Sequence, residues 1–171
     1  LVDKAGCWLT ISTVDGSLRD IGLIEIKFEG NEPKVRGGIV YSEDNKPRII
    51  HHHKVVCSGN KIYFEYKHSS SGTEVGGFCV YEFERNDDRD NVTGYYQDTG
   101  GKPRCQIFGT KLEAEGREWD YRSTSDIRRA LLENEDVIRD LSPGGLREVD
   151  FRRVLPEESS RPRSKGATDD Q

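Results

Sequence analysis

The sequence predicts an all-β fold, an eight-stranded antiparallel up-and-down β-barrel with a C-terminal helix. Short alternations of apolar and polar residues repeat along the first 112 residues, with the period of two that buries one face of a strand. Turn-forming clusters separate these runs, and no helical pattern lies between them. Eight strands is the number at which such a barrel closes around its own side chains or one small ligand, and closure removes the sheet edges.

The alternation is clearest in the middle of the chain. Ile62, Phe64 and Tyr66 alternate with charged residues, and Cys79, Tyr81 and Phe83 share one face of the next strand. The pattern leaves open which faces of the third, fourth, seventh and eighth strands point inward. The predicted strands are residues 7–13, 20–29, 34–42, 48–57, 61–67, 78–84, 92–97 and 104–112.

Two glycine-containing stretches and one apolar face characterise the early strands. Asp15-Gly16 is typical of a tight hairpin turn between the first two strands. Ile24, Ile26 and Phe28 predict the buried face of the second strand. Gly37-Gly38 interrupts the third, where it permits sharp coiling or the close approach of a ligand.

The composition changes after Leu112, and a helix is expected to begin near Ser123 to Ser125 with Asp126 in its first turn. Pro143-Gly144-Gly145 would end it. We therefore divide the chain into a ligand-binding barrel (1–112), a helical extension (113–155) and a disordered tail (156–171). One side of the helix is mostly apolar at spacings of three and four, through Ile127, Ala130, Leu131, Asn134, Ile138 and Leu141.

Composition restricts the classes of partner and compartment. The net charge of −5 disfavours binding to DNA or RNA, which requires a basic surface. The four cysteines show no metal-ligand spacing, so we expect buried free thiols in the cytoplasm. The chain lacks methionine even at position 1, which predicts that it starts inside a longer gene product or after processing. No apolar run is long enough for a membrane helix, so we expect what is present to be soluble.

Motifs for catalysis, cofactors and metals are not evident. The sequence contains no nucleophile elbow, zinc-protease helix, phosphate loop or dinucleotide fingerprint, so we expect neither an enzyme nor a cofactor. The triple histidine is conspicuous, but His51 and His53 would share one strand face while His52 takes the other. Only His68 remains as a further histidine ligand, so no metal site is predicted.

Aromatic and arginine residues within the predicted strands suggest a nucleotide site. Bases stack on flat aromatic faces, and guanidinium groups bind phosphates. A structural role remains the alternative, since tyrosine packs well on pleated sheets and arginine pairs with carboxylates. The candidate ligand-binding residues are Trp8, Arg36, Tyr41, Arg48, Tyr96 and Arg104.

Three short glycine and aromatic motifs carry a family resemblance, namely Gly6-Cys7-Trp8, Gly76-Gly77-Phe78 and Gly94-Tyr95-Tyr96. Through them, residues 6–112 resemble the β-strand-rich domain of two-transmembrane effectors in bacterial cyclic-oligonucleotide antiphage systems. The resemblance implies a barrel that binds a cyclic dinucleotide made by a partner nucleotidyltransferase, after which the effector damages the host membrane. The predicted helix and tail have no counterpart in that family.

The expected function is therefore a non-catalytic cyclic-dinucleotide sensor of an antiphage effector, lacking its membrane-spanning segment. Ligand binding would favour self-association and act on the membrane only through a segment outside this chain, which would anchor the full-length protein at the inner membrane. A lipocalin-like carrier of an apolar ligand is one alternative. A protein-interaction barrel that recruits a partner through its C-terminal helix is the other.

Overall fold

A computed structural model describes residues 2–42, 46–70, 72–114, 116–142 and 151. Its eight strands form a closed antiparallel barrel in which each strand pairs with the next and β8 pairs with β1, which confirms the predicted fold class. The strands are β1 (Gly6–Val14), β2 (Ser17–Glu29), β3 (Glu32–Tyr41), β4 (Pro47–Ser58), β5 (Lys61–Ser70), β6 (Thr73–Asn86), β7 (Arg89–Asp98) and β8 (Cys105–Lys111).

Every predicted strand is present, but several extend beyond the apolar alternation. The β5–β6 ladder continues to the Ser70–Thr73 pair, and the β6–β7 ladder continues to Asn86–Arg89. Backbone pairing needs no apolar side chains, so hairpin ends made of polar residues escape a search for alternation. Phe28, expected on the core face, is instead 37% exposed because it lies next to the β2–β3 turn.

The inside of the barrel is divided along its axis. We call the end with the β1–β2, β3–β4, β5–β6 and β7–β8 connections the polar end, and the opposite end the apolar end. At the apolar end the Trp8 and Phe83 rings meet edge to face, 4.8 Å apart. Trp8 Nε1 donates to the Lys4 carbonyl oxygen at 2.9 Å, and Val2 is buried in the same cluster. The apolar end is thus filled by side chains and by the N-terminal segment.

The predicted single helix is two helices, α1 (Thr124–Glu133) and α2 (Glu135–Leu141). The expected cap is present, since Ser123 Oγ accepts from the Asp126 N–H at 3.1 Å. The break falls at Asn134, whose Nδ2 donates to the Ala130 carbonyl oxygen at 2.8 Å. Such bonds from a side chain to the backbone compete with helix continuation. No helix among the described residues combines the length and apolarity needed to cross a bilayer.

The helices bury a second apolar cluster against the outside of the barrel. Leu9, Ile11, Ile21 and Leu23 are fully buried, so β1 and β2 are covered on both faces rather than on one. This double burial explains why the first strand lacks clear alternation. The helical residues in the cluster are Ile127, Ala130, Leu131 and Ile138, joined by Phe151. Residues 152–171, which include the predicted tail, lie outside the described residues.

Candidate ligand site at the polar end of the barrel

Side chains that face the lumen change from apolar to polar towards the polar end. On β5, the inward series runs from Ile62 through Phe64 and Tyr66 to His68. The same trend on the other strands gathers ionisable and hydroxyl groups within one end of the barrel. Buried or half-buried members of this cluster are Ser12, Asp20, Tyr41, Tyr66, His68, Tyr96 and Asp98.

A cavity of about 50 Å³ lies among these side chains. Ser12 Oγ, His52 Nδ1 and His68 Nδ1 are buried, belong to residues that line this cavity, and have no hydrogen-bond partner among the described residues. Buried polar atoms in folded proteins nearly always have a partner, protein or water. A water molecule occupies about 30 Å³ of the liquid, so the cavity has room for water or one small ligand group.

A β-bulge places Arg19 and Asp20 at this end. Ser12 pairs with Asp20 while Thr13 pairs with Leu18, so Arg19 has no opposite residue on β1. Asp20 is only 3% exposed and accepts a hydrogen bond from Tyr96 Oη at 2.7 Å. Burial raises the pKa of the Asp20 carboxyl, while the hydrogen bond from Tyr96 and the Arg19 charge partly oppose that rise.

Asp98, Tyr66, His68 and Tyr41 form a connected series across the lumen. Tyr66 Oη donates to Asp98 Oδ1, and the Tyr66 ring stacks on the His68 ring with centroids 6.2 Å apart. His68 Nε2 lies 3.3 Å from Tyr41 Oη. Burial lowers the pKa of His68 although the Asp98 charge opposes the change, so the imidazole is favoured in its neutral form.

Two arginines contact the Tyr41 ring. The guanidinium carbon of Arg48 lies 4.3 Å from the ring centroid, and that of Arg19 lies 4.7 Å from it. Arg48 also donates to the Lys46 carbonyl oxygen at 3.2 Å. A guanidinium held on an aromatic face has fewer conformations to lose when it binds an anion. The polar end therefore presents positive charge above a buried aromatic and carboxylate cluster.

Only three of the six predicted site residues join the cluster at this end, namely Tyr41, Arg48 and Tyr96. Trp8 is buried at the apolar end, about 13 Å along β1 from Ser12 at 3.3 Å per residue. Arg36 is exposed on the outer wall. Arg104 stacks on the Tyr95 ring on the outside of the barrel, 4.0 Å from its centroid.

The sequence prediction missed Asp20, His68 and Asp98, although two of them carried a signal. Asp20 is in phase with Ile24 and Ile26, and His68 is in phase with Phe64 and Tyr66, so period-two counting identifies each as a polar residue on an inward face. Arg19 carried no such signal, because the bulge that displaces it depends on the pairing of β1 with β2.

The triple histidine follows the predicted alternation. His51 and His53 are exposed, whereas His52 is half-buried and contacts the Phe64 ring edge to face at 4.6 Å. Burial lowers the pKa of His52 to about 3. No three His, Cys, Asp or Glu side chains in the described part of the chain are grouped so that they could hold a metal ion.

Comparison with known proteins adds no assignment. No protein-family model matches this chain, and no curated protein shows significant similarity to it. The functional inference therefore depends on the fold and on the geometry of the polar end.

Proposed function

We propose that this chain is a nucleotide-sensing domain that binds a cyclic dinucleotide at the polar end of its barrel. The observation that carries the proposal is the placement of Arg19 and Arg48 on the Tyr41 ring, above a cavity whose lining includes Asp20, Tyr66, His68 and Tyr96. Guanidinium groups bind phosphate oxygens in bidentate fashion, and aromatic rings stack with bases. Both kinds of group are present within one end of the barrel.

The two carboxylates of the cluster favour a ligand that includes a nucleotide base over a ligand that is only a phosphate. Asp20 and Asp98 are hydrogen-bond acceptors when ionised, and base amino and imino groups are donors. A ligand with only anionic groups would be repelled by these two carboxylates. A nucleotide brings phosphates for the arginines and N–H donors for the aspartates, so its charges and hydrogen bonds complement the cluster.

The size of the cavity restricts the pose. About 50 Å³ is far below the roughly 300–1,000 Å³ of a typical small-molecule pocket. A cyclic dinucleotide would therefore lie across the polar end, with at most one group entering the lumen. Base stacking contributes about 1–3 kcal/mol per base, and a charged hydrogen bond contributes about 1.5–3 kcal/mol, which together allow micromolar binding.

The proposal includes the biological role that the family resemblance implies. The domain would act without catalysis as the sensor of an antiphage effector, with ligand binding favouring self-association of barrels. Any effect on the membrane would come from a segment outside this chain. The closed eight-stranded barrel agrees with the fold that the resemblance implies, and fold alone does not determine function.

A carrier of an apolar ligand is less well supported by the interior. The apolar end contains close-packed rings such as Trp8 and Phe83, and the remaining cavity of about 50 Å³ is far smaller than a typical small-molecule pocket. Its lining combines isoleucine and phenylalanine side chains with hydroxyl, imidazole and carboxyl groups. An apolar ligand would leave these polar groups desolvated without partners.

Recruitment of a partner through the C-terminal helices is also less well supported. Ile127, Leu131 and Ile138 are fully buried against the barrel, so the apolar faces of the helices are already covered. A partner would have to bind their polar faces.

A thermal-shift screen against cyclic di- and trinucleotides tests the proposal. Ligand at 100 times its Kd stabilises the folded state by about 2.7 kcal/mol, which raises Tm by about 5–10 °C in a chain of this size. We expect Arg48→Ala and Arg19→Ala to lose most of that shift, while Arg89→Ala, an exposed arginine on β7, keeps it. Sedimentation velocity with and without the stabilising nucleotide tests self-association. Equal shifts in all three variants, or none with any nucleotide, would contradict the site.

A further inference from the structure

The barrel wall is split between β3 and β4 near the apolar end. The β3–β4 ladder ends at the Arg36–His51 pair, yet β3 extends back to Glu32 and β4 continues to Ser58. Both strands remain paired on their other sides, β3 with β2 and β4 with β5. The split holds a cleft of about 550 Å³, which we call the β3–β4 cleft. Its volume is within the usual range for small-molecule sites.

The inner side of the β3–β4 cleft is mostly apolar. Val35 and Ile50 line it and are also buried in the lumen cluster. His52 lines both this cleft and the cavity inside the barrel, and its buried Nδ1 has no hydrogen-bond partner among the described residues. An occupant of the cleft would therefore meet an apolar surface and the partly accessible His52 ring, while His52 Nδ1 itself is buried.

The outer rim of the cleft is cationic. Lys34, Arg36 and Lys54 are exposed along it. Lys34 lies 3.1 Å from Glu32, which also lines the cleft, and 3.9 Å from Glu29. Lys54 lies 3.3 Å from Glu65, but Arg36 makes no ion pair with a described residue. Exposed ion pairs of this kind are weak, so the lysines remain able to bind a stronger anion.

The edges of the split are poorly suited to an added peptide strand. Pro33 provides no N–H, and the β4 side bulges between His53 and Val56, where Lys54 has a φ of +50°. Proline, bulges and edge lysines are the features by which proteins prevent strand addition. The cleft therefore favours a small molecule over an extended peptide.

We propose that the β3–β4 cleft is a second ligand site, which binds a phosphate monoester with an aromatic or other apolar body. The phosphate would bind Arg36 with help from Lys34 and Lys54, and the body would pack on the half-buried Ile49 and Val55 beside the buried Val35 and Ile50. A phosphate monoester carries a charge of about −1.5 to −2 at pH 7, which matches a rim of three partly neutralised cations. The cationic rim of this site does not include Arg19 or Arg48, although Ile50 and His52 line both spaces, and the inference does not depend on the nucleotide proposal.

Amide chemical shifts of the 15N-labelled chain, titrated with phenyl phosphate, test this inference. We expect saturable shifts of residues 34–36 and 51–55, and much weaker binding of inorganic phosphate, which lacks the apolar body. Arg36→Gln should weaken phenyl phosphate binding about tenfold or more, because it removes a charged hydrogen bond. Arg89→Gln is the matched control, since it removes an equally exposed arginine from β7.

The polar end provides a second control. Arg48→Ala should leave phenyl phosphate binding at the cleft unchanged, even if it abolishes binding of a cyclic dinucleotide. The inference is overturned if the shifts are absent or scattered over the surface, or if Arg36→Gln binds as tightly as Arg89→Gln. It is also overturned if Arg48→Ala removes the shifts at the cleft, because the two sites would then be one.

Discussion

Replacement of Gly77 by alanine is the sharpest test of how the polar end is built. A Cβ on Gly77 would overlap the Gln97 carbonyl oxygen and Tyr66 Oη, and would lie 2.5 Å from Tyr66 Cζ. The Gln97 oxygen belongs to the paired β7 backbone and cannot move without breaking the β6–β7 ladder. The Tyr66 ring would have to leave Asp98, its hydrogen-bond acceptor.

The cost has two parts. Overpacking of a close-packed interior destabilises by about 1–3 kcal/mol, and loss of a hydrogen bond to a charged group adds about 1.5–3 kcal/mol. We therefore expect Gly77→Ala to lower the free energy of unfolding by about 2.5–6 kcal/mol, a large share of the total for a domain. Urea unfolding followed by tryptophan fluorescence measures this directly.

The neighbouring glycine is the matched control. A Cβ on Gly76 would lie 3.6 Å from the Tyr66 carbonyl oxygen, its nearest neighbour, which is an ordinary contact. Since alanine also restricts the unfolded chain, Gly76→Ala should be neutral or stabilising by up to about 1 kcal/mol. If the two variants unfold at the same urea concentration, the described packing of Tyr66 against β6 is wrong.

Three further predictions concern other parts of the molecule. Burial raises the pKa of the Asp20 carboxyl in the folded state above its ordinary value of 3.8. The folded state therefore gains stability from the protonated carboxyl at low pH, and this gain is lost as pH rises through the folded-state pKa. Asp20→Asn keeps an acceptor for Tyr96, so its free energy of unfolding should match that of the wild type near pH 3.5 and exceed it at pH 7. Urea unfolding that shows the same difference between the two proteins at both pH values would contradict this. Ser123→Ala removes the α1 cap and should cost about 0.5–2 kcal/mol, whereas the exposed Ser125→Ala should cost little; equal Tm values would refute the cap. Trp8→Ala should cost about 3–5 kcal/mol because Trp8 is almost fully buried against Phe83; an unchanged Tm would show that Trp8 is not a core residue.

The fold was largely predictable because the signals that specify it are local. Strand β5 alternates strictly from Ile62 to His68 and β6 alternates from Phe78 to Glu84, since one side of each faces the filled lumen and the other faces outward. The helix start was predictable from Ser123 and Asp126, whose cap involves residues three apart. The break at Asn134 was not predicted, because the spacing of apolar residues continues through it while its amide bonds to the backbone.

The candidate site was only partly predictable. Residue type identified Tyr41, Arg48 and Tyr96, but type alone also selected Arg36 and Trp8, which lie on the outer wall and at the apolar end. Whether a side chain points into the lumen or away from it separates the site residues from the others, and this orientation follows from strand register. The sequence left the inward faces of β3, β4, β7 and β8 open, so it had no means to separate them.

The number of strands, their order and the turns between them follow from local sequence, because each depends on residues a few positions apart. Which polar residues meet depends on how the strands pair. Asp20 and Tyr96 are 76 positions apart and bond only because the pairing of β8 with β1 brings β2 and β7 within three strands of each other around one lumen. The β3–β4 cleft likewise arises where a ladder between two strands stops, and ladder length depends on the pairing of strands rather than on either strand alone.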